Sequence, residues 1–148
     1  MKTVAWVDAA PFRAHVRHLC ASADLPWEVV ASRAGVSTVL VDHLLHGRGG
    51  RTVLRLAPHC ASKLLGVTPA ELRDLRHRVV DATDVTAKVR ALLAQGAPAT
   101  SLATFCRMTA GQLVALGSAR SGSCTELTAA LVGAAEARWV ARATREAA

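Results

Sequence analysis

The stretch Val30-Ala31-Ser32-Arg33-Ala34-Gly35-Val36-Ser37-Thr38-Val39-Leu40-Val41-Asp42-His43-Leu44-Leu45-His46-Gly47 packs two short helical patterns and a turn into eighteen residues. Two helices that cross closely need a small side chain at the crossing, and Ala31 supplies it. The turn between them needs a residue free to take positive φ, and Gly35 supplies that. Val36 follows as a branched apolar residue to be buried, and Ser37 is a good N-cap. Val41 and Leu44 then stand three apart on one helical face, and Gly47 ends the pattern.

Helical punctuation continues on both sides. Asp8 can cap a helix from about Ala9 to Ser22, with Phe12, Val16, Leu19 and Cys20 on its apolar face. Asp24-Leu25-Pro26 breaks it, and Trp27 to Ala34 forms the next helix. Gly47-Arg48-Gly49-Gly50-Arg51 reads as a loop. Pro58 opens a further helix that Gly66 closes. Thr68-Pro69-Ala70-Glu71 has the form of a capping box, followed by Leu72, Leu75, Val79 and Val80. A boundary is expected near 81–84, which gives an N-terminal domain over 1–80 and a C-terminal one over 85–148. A terminal helix from Thr125 to about Thr144 carries Leu131, Ala135 and Trp139. It either closes the second core or pairs with another chain.

The second half repeats the first. Val16-Arg17-x-Leu19 matches Val89-Arg90-x-Leu92 at an offset of 73. After one deletion the offset is 72, and Pro26, Val30, Ala31, Val36-Ser37, Val41, Leu44, Arg48 and Gly50 match Pro98, Leu102, Ala103, Met108-Thr109, Leu113, Leu116, Arg120 and Gly122. Burial and turn positions agree better than exposed ones, as expected of a duplicated helical unit. The match to Gly35 is Arg107, which costs roughly 1 kcal/mol if that position also needs φ > 0.

Composition narrows the function classes. The chain has 148 residues, 15 Arg, 3 Lys, 30 Ala, no Tyr and a formal charge of +7. So much Ala with so few aromatics argues for an all-α chain and against a sandwich or barrel. The cationic surplus suits a polyanion, although Arg and Ala enrichment also accompanies a G+C-rich genome. Its placement carries more weight: residues 1–78 hold a surplus of five positive charges and residues 79–148 only two. No window is apolar enough for a membrane span. The Met1-Lys2-Thr3-Val4 start runs quickly into Asp8, Pro11 and Arg13, unlike a signal peptide, so a cytoplasmic location is expected. Cys20, Cys60, Cys106 and Cys124 are widely spaced and expected to be free thiols.

The window 30–47 has the form of a helix-turn-helix. Together with Cys60-Ala61-x-x-Leu64-Leu65-Gly66-Val67-Thr68-Pro69-Ala70-Glu71-Leu72, it resembles the phage repressor and Cro class. The opening, Val7 to Leu19, is similar to small regulators of actinobacteria and their phages. The resemblance covers about residues 7–76 and, more weakly, 85–122. It implies tandem helix-turn-helix units, the first a five-helix lambda-repressor-like domain. It also implies a sequence-specific regulator of transcription that binds double-stranded DNA, with a phage immunity-type repressor as one concrete form.

Carried over, the recognition helix is 37–46, with Ser37, Thr38, Val39, Asp42 and His43 toward base edges. The family often has Gln where Trp27 and Thr38 stand here. Arg48, Gly49 and Arg51 are the expected phosphate grip. Arg17, Arg33, Trp27 and His46 join it as further phosphate candidates, and Arg13 is placed beside them. In the second repeat Thr109, Gln112 and Arg120 are the DNA candidates, with Gly111 weakening that helix. The expected partner is duplex DNA, read either by a monomer using both repeats on an asymmetric site or by a homodimer. A bound chain would sit on the nucleoid.

Two other classes stay open. The C-terminal repeat could serve as a protein-interaction module. A zinc or iron–sulfur regulator could use His15, His18, Cys20, His43, His46, His59 and Cys60, but no close ligand pair of the CxxC kind is present. No metal or cofactor is expected. No nucleophile elbow, P-loop or dinucleotide fingerprint supports an enzyme.

Overall fold

The structure is a computed structural model and describes residues 5–120 and 122–147. The expectation about the Met1–Val4 start falls outside the described residues. The chain divides into two compact units, Met1–Arg73 and Asp74–Ala148.

In the first unit the helices are α1 (Ala10–Ala23), α2 (Trp27–Ala34), α3 (Thr38–His46), α4 (Pro58–Leu65) and α5 (Pro69–Asp74). Asp8 holds the start of α1 by accepting from the Ala10 N–H at 3.1 Å. α1 packs on α2 and α4, and α2 on α3 and α4. Val16, Leu19, Val29, Val30, Ala31, Val41, Leu44 and Leu64 are essentially withdrawn from water. Each large aliphatic side chain among them contributes about 1.5–3 kcal/mol. Ala31 and Val41 thus lie inside, where the spacing of the 30–47 window puts them.

In the second unit a 3-10 turn (Leu75–His77) leads into β3 (Val79–Asp81). Next come α6 (Thr83–Ala94), α7 (Ala99–Phe105), α8 (Ala110–Ser118), β4 (Ser123–Thr125) and α9 (Glu126–Ala147). Leu131, Val132, Ala134 and Ala135 of α9 are buried within this unit, against α6 and α7. Farther along α9, Trp139 donates to Gln95 at 2.8 Å and Arg138 lies over the Phe105 ring.

The chain is mainly helical, with 69% of the described residues in helices, and two short sheets are added to them. β1 (Val7–Asp8) pairs antiparallel with β2 (Arg55–Leu56), and β3 pairs antiparallel with β4. Val79 and Val80, expected on a helix, therefore lie in a strand. Their β-branched side chains suit the pleat, and the pairing with Ser123–Thr125 supplies hydrogen bonds that a lone helical turn would lack. The same pairing draws residues 74–80 into the second unit.

Equivalent contacts recur in both units. Pro26 and Pro98 are the N-caps of α2 and α7, both with extended backbone. Ser37 caps α3 through the Val39 and Leu40 N–H groups, and Thr109 caps α8 through Gln112. α2 ends with the Gly35 N–H on Ser32 O and the Val36 N–H on Ala31 O, at 3.2 and 3.1 Å. α7 ends with the Arg107 N–H on Thr104 O and the Met108 N–H on Ala103 O, at 3.1 and 3.0 Å. These are Schellman closures, which need a left-handed residue. Gly35 has φ +74° and Arg107 has φ +61°. Arg107 thus holds a conformation that disfavours any side chain with a Cβ.

Nothing stands within 4 Å of a Cβ built on Gly35. Gly35→Ala is therefore expected to lose about 1 kcal/mol through backbone conformation alone, read by urea unfolding. A loss above about 3 kcal/mol would show that packing, and not φ, sets the requirement.

Candidate nucleic-acid interface

α3 is held at both ends. The Ser37 Oγ accepts from Val39 N at 3.1 Å and from Leu40 N at 3.4 Å. At the far end, Arg17 of α1 donates to Leu45 O at 3.1 Å, and Arg13 donates through Nε to Leu44 O at 2.7 Å. Arg13 also reaches Val53 O through Nη2. Cations at a helix C-terminus satisfy its orphan carbonyls and complement its dipole. Arg17 and Arg13 are thus spent, at least in part, on fixing α3. In the second unit Arg90 repeats the Arg17 contact, its Nε donating to Gly117 O at 3.1 Å. Gly117 also lets α8 approach α6: a Cβ there would meet Val89 Cγ1 at 3.1 Å.

Past α3 the chain makes a tight hairpin. Arg48 and Arg51 exchange N–H···O bonds of 2.8 and 3.1 Å around Gly49 and Gly50. Both glycines have positive φ, 60° and 77°, as the two-residue turn that matches strand twist requires. Gly47 is needed for another reason, since a Cβ there would sit 2.7 Å from Arg51 O. The expected loop is therefore an ordered ribbon. Directly opposed residues of such a pair project from the same face. Arg48 and Arg51 are both exposed and make no ion pair with the described residues. Two like charges set opposite each other repel, so the position favours an external anion.

The exposed surface of α3 is short and mixed. Val39 is 60% exposed, and Thr38 and His43 are partly exposed. Beside them lies an open cleft of about 550 Å³ lined in part by Trp6, Val39, His43, Arg48 and Arg55. No carboxylate lines it. Trp6 and Arg55 were not among the expected contacts. Trp6 immediately precedes β1 and Arg55 lies in β2, and two-residue strands leave no periodic signal in the sequence.

Several expected DNA contacts have partners of their own. Asp42 Oδ1 accepts from His46 Nδ1 at 2.7 Å, and the His46 ring stands edge-on to Trp27 at 5.9 Å. Asp42, His46 and Trp27 thus form a local cluster that includes a negative charge. Arg33 pairs with Glu71 at 2.9 Å. That contact draws the Glu71 side chain toward Arg33, while the Glu71 N–H donates to the capping Thr68 Oγ1 at 3.2 Å. In the second unit Thr109 and Gln112 form a complete capping box, with Thr109 N donating to Gln112 Oε1 at 2.9 Å. Arg120 is exposed.

Three of the thiols are poorly suited to chemistry. Burial pushes the Cys20 thiol up to about 11, and the nearby Glu28 carboxylate adds to the shift. Burial alone pushes Cys106 up to about 11. Burial and then Asp81 raise Cys124. Protonated thiols are weak nucleophiles and poor metal ligands. Among the described residues no three His, Cys, Asp or Glu side chains converge on a point where they could hold an ion. Nor is any described helix long and apolar enough to cross a membrane.

No protein-family model, curated protein or solved structure matches this chain.

Proposed function

We propose that the chain is a sequence-specific double-stranded DNA-binding regulator of transcription, acting as a repressor. In this reading α2, the Gly35 turn and α3 form a helix-turn-helix whose second helix enters the major groove. The observation that carries it is the pair Arg48 and Arg51, side by side and without an ion pair among the described residues, one glycine past the end of a helix anchored at both ends. A phosphate strand bordering the groove suits two adjacent guanidinium forks. Thr38 and His43 can then hydrogen-bond base edges, and Val39 can meet a thymine methyl group. Trp6 and Arg55 extend the same surface.

The contacts shared by the two units support a duplicated motif, the second copy carrying the same caps and turn. Its reading face is less polar, because Thr109 and Gln112 are engaged with each other. A regulator of this size acts most simply by occupying a promoter.

Selection from a random duplex pool, followed by sequencing, tests the reading. One enriched motif is expected. Thr38→Ala and His43→Ala should relax preference at one or two positions, each by about 1–3 kcal/mol. A pool that stays random after repeated rounds would sink the proposal. An asymmetric motif would favour both units of one chain reading DNA, and a palindrome would favour a homodimer.

A further inference from the structure

In the first unit, α1 lies beside the chain that leaves α3, and the Arg13 guanidinium bridges Leu44 O and Val53 O there. The position equivalent to Arg13 in the second unit is Thr86, by the same offset that pairs Arg17 with Arg90. Threonine is too short to make the bridge. What remains is a pocket of about 340 Å³ lined by Thr83, Thr86, Arg90 and Arg120, with small alanines between them.

Its chemistry is one-sided. Arg90 is anchored through Nε on Gly117 O, which leaves both Nη groups without a partner in the described residues. Arg120 makes no ion pair with the described residues. Thr86 is only 7% exposed, and its hydroxyl has no hydrogen bond within the described residues. The hydroxyl is therefore available to an occupant of the pocket, as donor or as acceptor. No carboxylate lines the pocket; Asp81 is held by the Thr83 N–H at 2.7 Å instead.

We propose that this pocket holds a phosphate group, gripped by Arg90 and Arg120 and hydrogen-bonded by Thr86. Guanidinium forks and a hydroxyl match the oxygens of a tetrahedral anion. The site does not depend on α3 reading bases. The phosphate can be a free ion or a diester of a nucleic-acid strand, and two arms separate these sources.

In the first arm the full chain is unfolded thermally in inorganic phosphate and in chloride at matched ionic strength. A free-phosphate site raises the midpoint in phosphate for the wild type. Arg120→Gln should weaken the underlying affinity about tenfold, and Thr86→Arg, which copies the first unit and fills the pocket, should abolish the rise. In the second arm a duplex is titrated across salt. A diester in the pocket makes Arg120→Gln lower the salt slope by about 0.9. Thr86→Val, which keeps shape and charge, should then weaken binding severalfold with the slope unchanged. An effect in either arm supports the site. It is overturned if phosphate gives the wild type no rise and neither Arg120→Gln nor Thr86→Val alters duplex binding. A wild type that binds no duplex leaves the first arm to decide alone, so failure of the α3 reading stays distinguishable.

Discussion

A chain carrying Arg48→Gln and Arg51→Gln together should bind its selected duplex about a hundredfold more weakly near physiological salt. Each guanidinium makes charge-assisted contacts of about 1.5–3 kcal/mol when it meets a phosphate, and two are lost. The slope of log K against log salt should fall by about 1.8, since each neutralised phosphate contributes about 0.9. Discrimination between good and poor sites should barely move, because phosphates carry no sequence. The fold should survive intact: both side chains are exposed, and the hairpin is closed by backbone bonds around Gly49 and Gly50. Circular dichroism and filter binding at several salt concentrations would read all of this. An unchanged slope would remove the hairpin from the interface.

Arg13→Ala should be the most destabilising single change of a charged residue in the first unit, by about 3 kcal/mol. Its guanidinium joins the last turn of α3 to the segment between the hairpin and β2, through Leu44 O and Val53 O. Removing it leaves two partly buried carbonyls without their donor, and each such loss costs about 1–3 kcal/mol. Arg13→Lys should recover less than half, because one ammonium cannot present two separated donors in a fixed fork. Urea unfolding measures the loss. DNA binding gives a second readout. Affinity should fall while the salt slope stays constant, since this guanidinium faces carbonyls of its own chain. A slope reduced by about 0.9 would instead make Arg13 a phosphate contact.

The contrast between Arg48 and Arg13 marks what the sequence makes legible. α2 and α3 are readable to the residue because their ends are written locally: Pro26, Gly35, Ser37 and Gly47 each do one conformational job. The cationic loop is readable too, from two glycines between two arginines, but its closing into a hairpin is not. Partnerships across long separations are not. Arg33 meets Glu71 thirty-eight residues away, and Arg17 meets Leu45 twenty-eight away. From spacing alone, both arginines look as free as Arg48. The Asp42 contact is hidden for a smaller reason: its partner His46 is one helical turn on, but an i, i+4 pair is equally consistent with two exposed groups. The short strands escape because two or three residues cannot establish an alternating period. Val79 and Val80 fit a helical face and a strand equally well until Ser123–Thr125 is placed beside them.

The arginine that holds Leu45 O and the one that holds Gly117 O imply a division of labour. Caps, closures and clamps set the angle of the second helix, and none of them requires a given residue at Thr38, Val39 or His43. Under the proposed function, recognition can therefore drift under selection while the scaffold stands still. The two units already differ in this way, alike at their joints and unlike on their outer faces. A grafted face would test how far that freedom extends: the exposed residues of α8 placed on α3 should give a chain that folds normally and selects a different sequence.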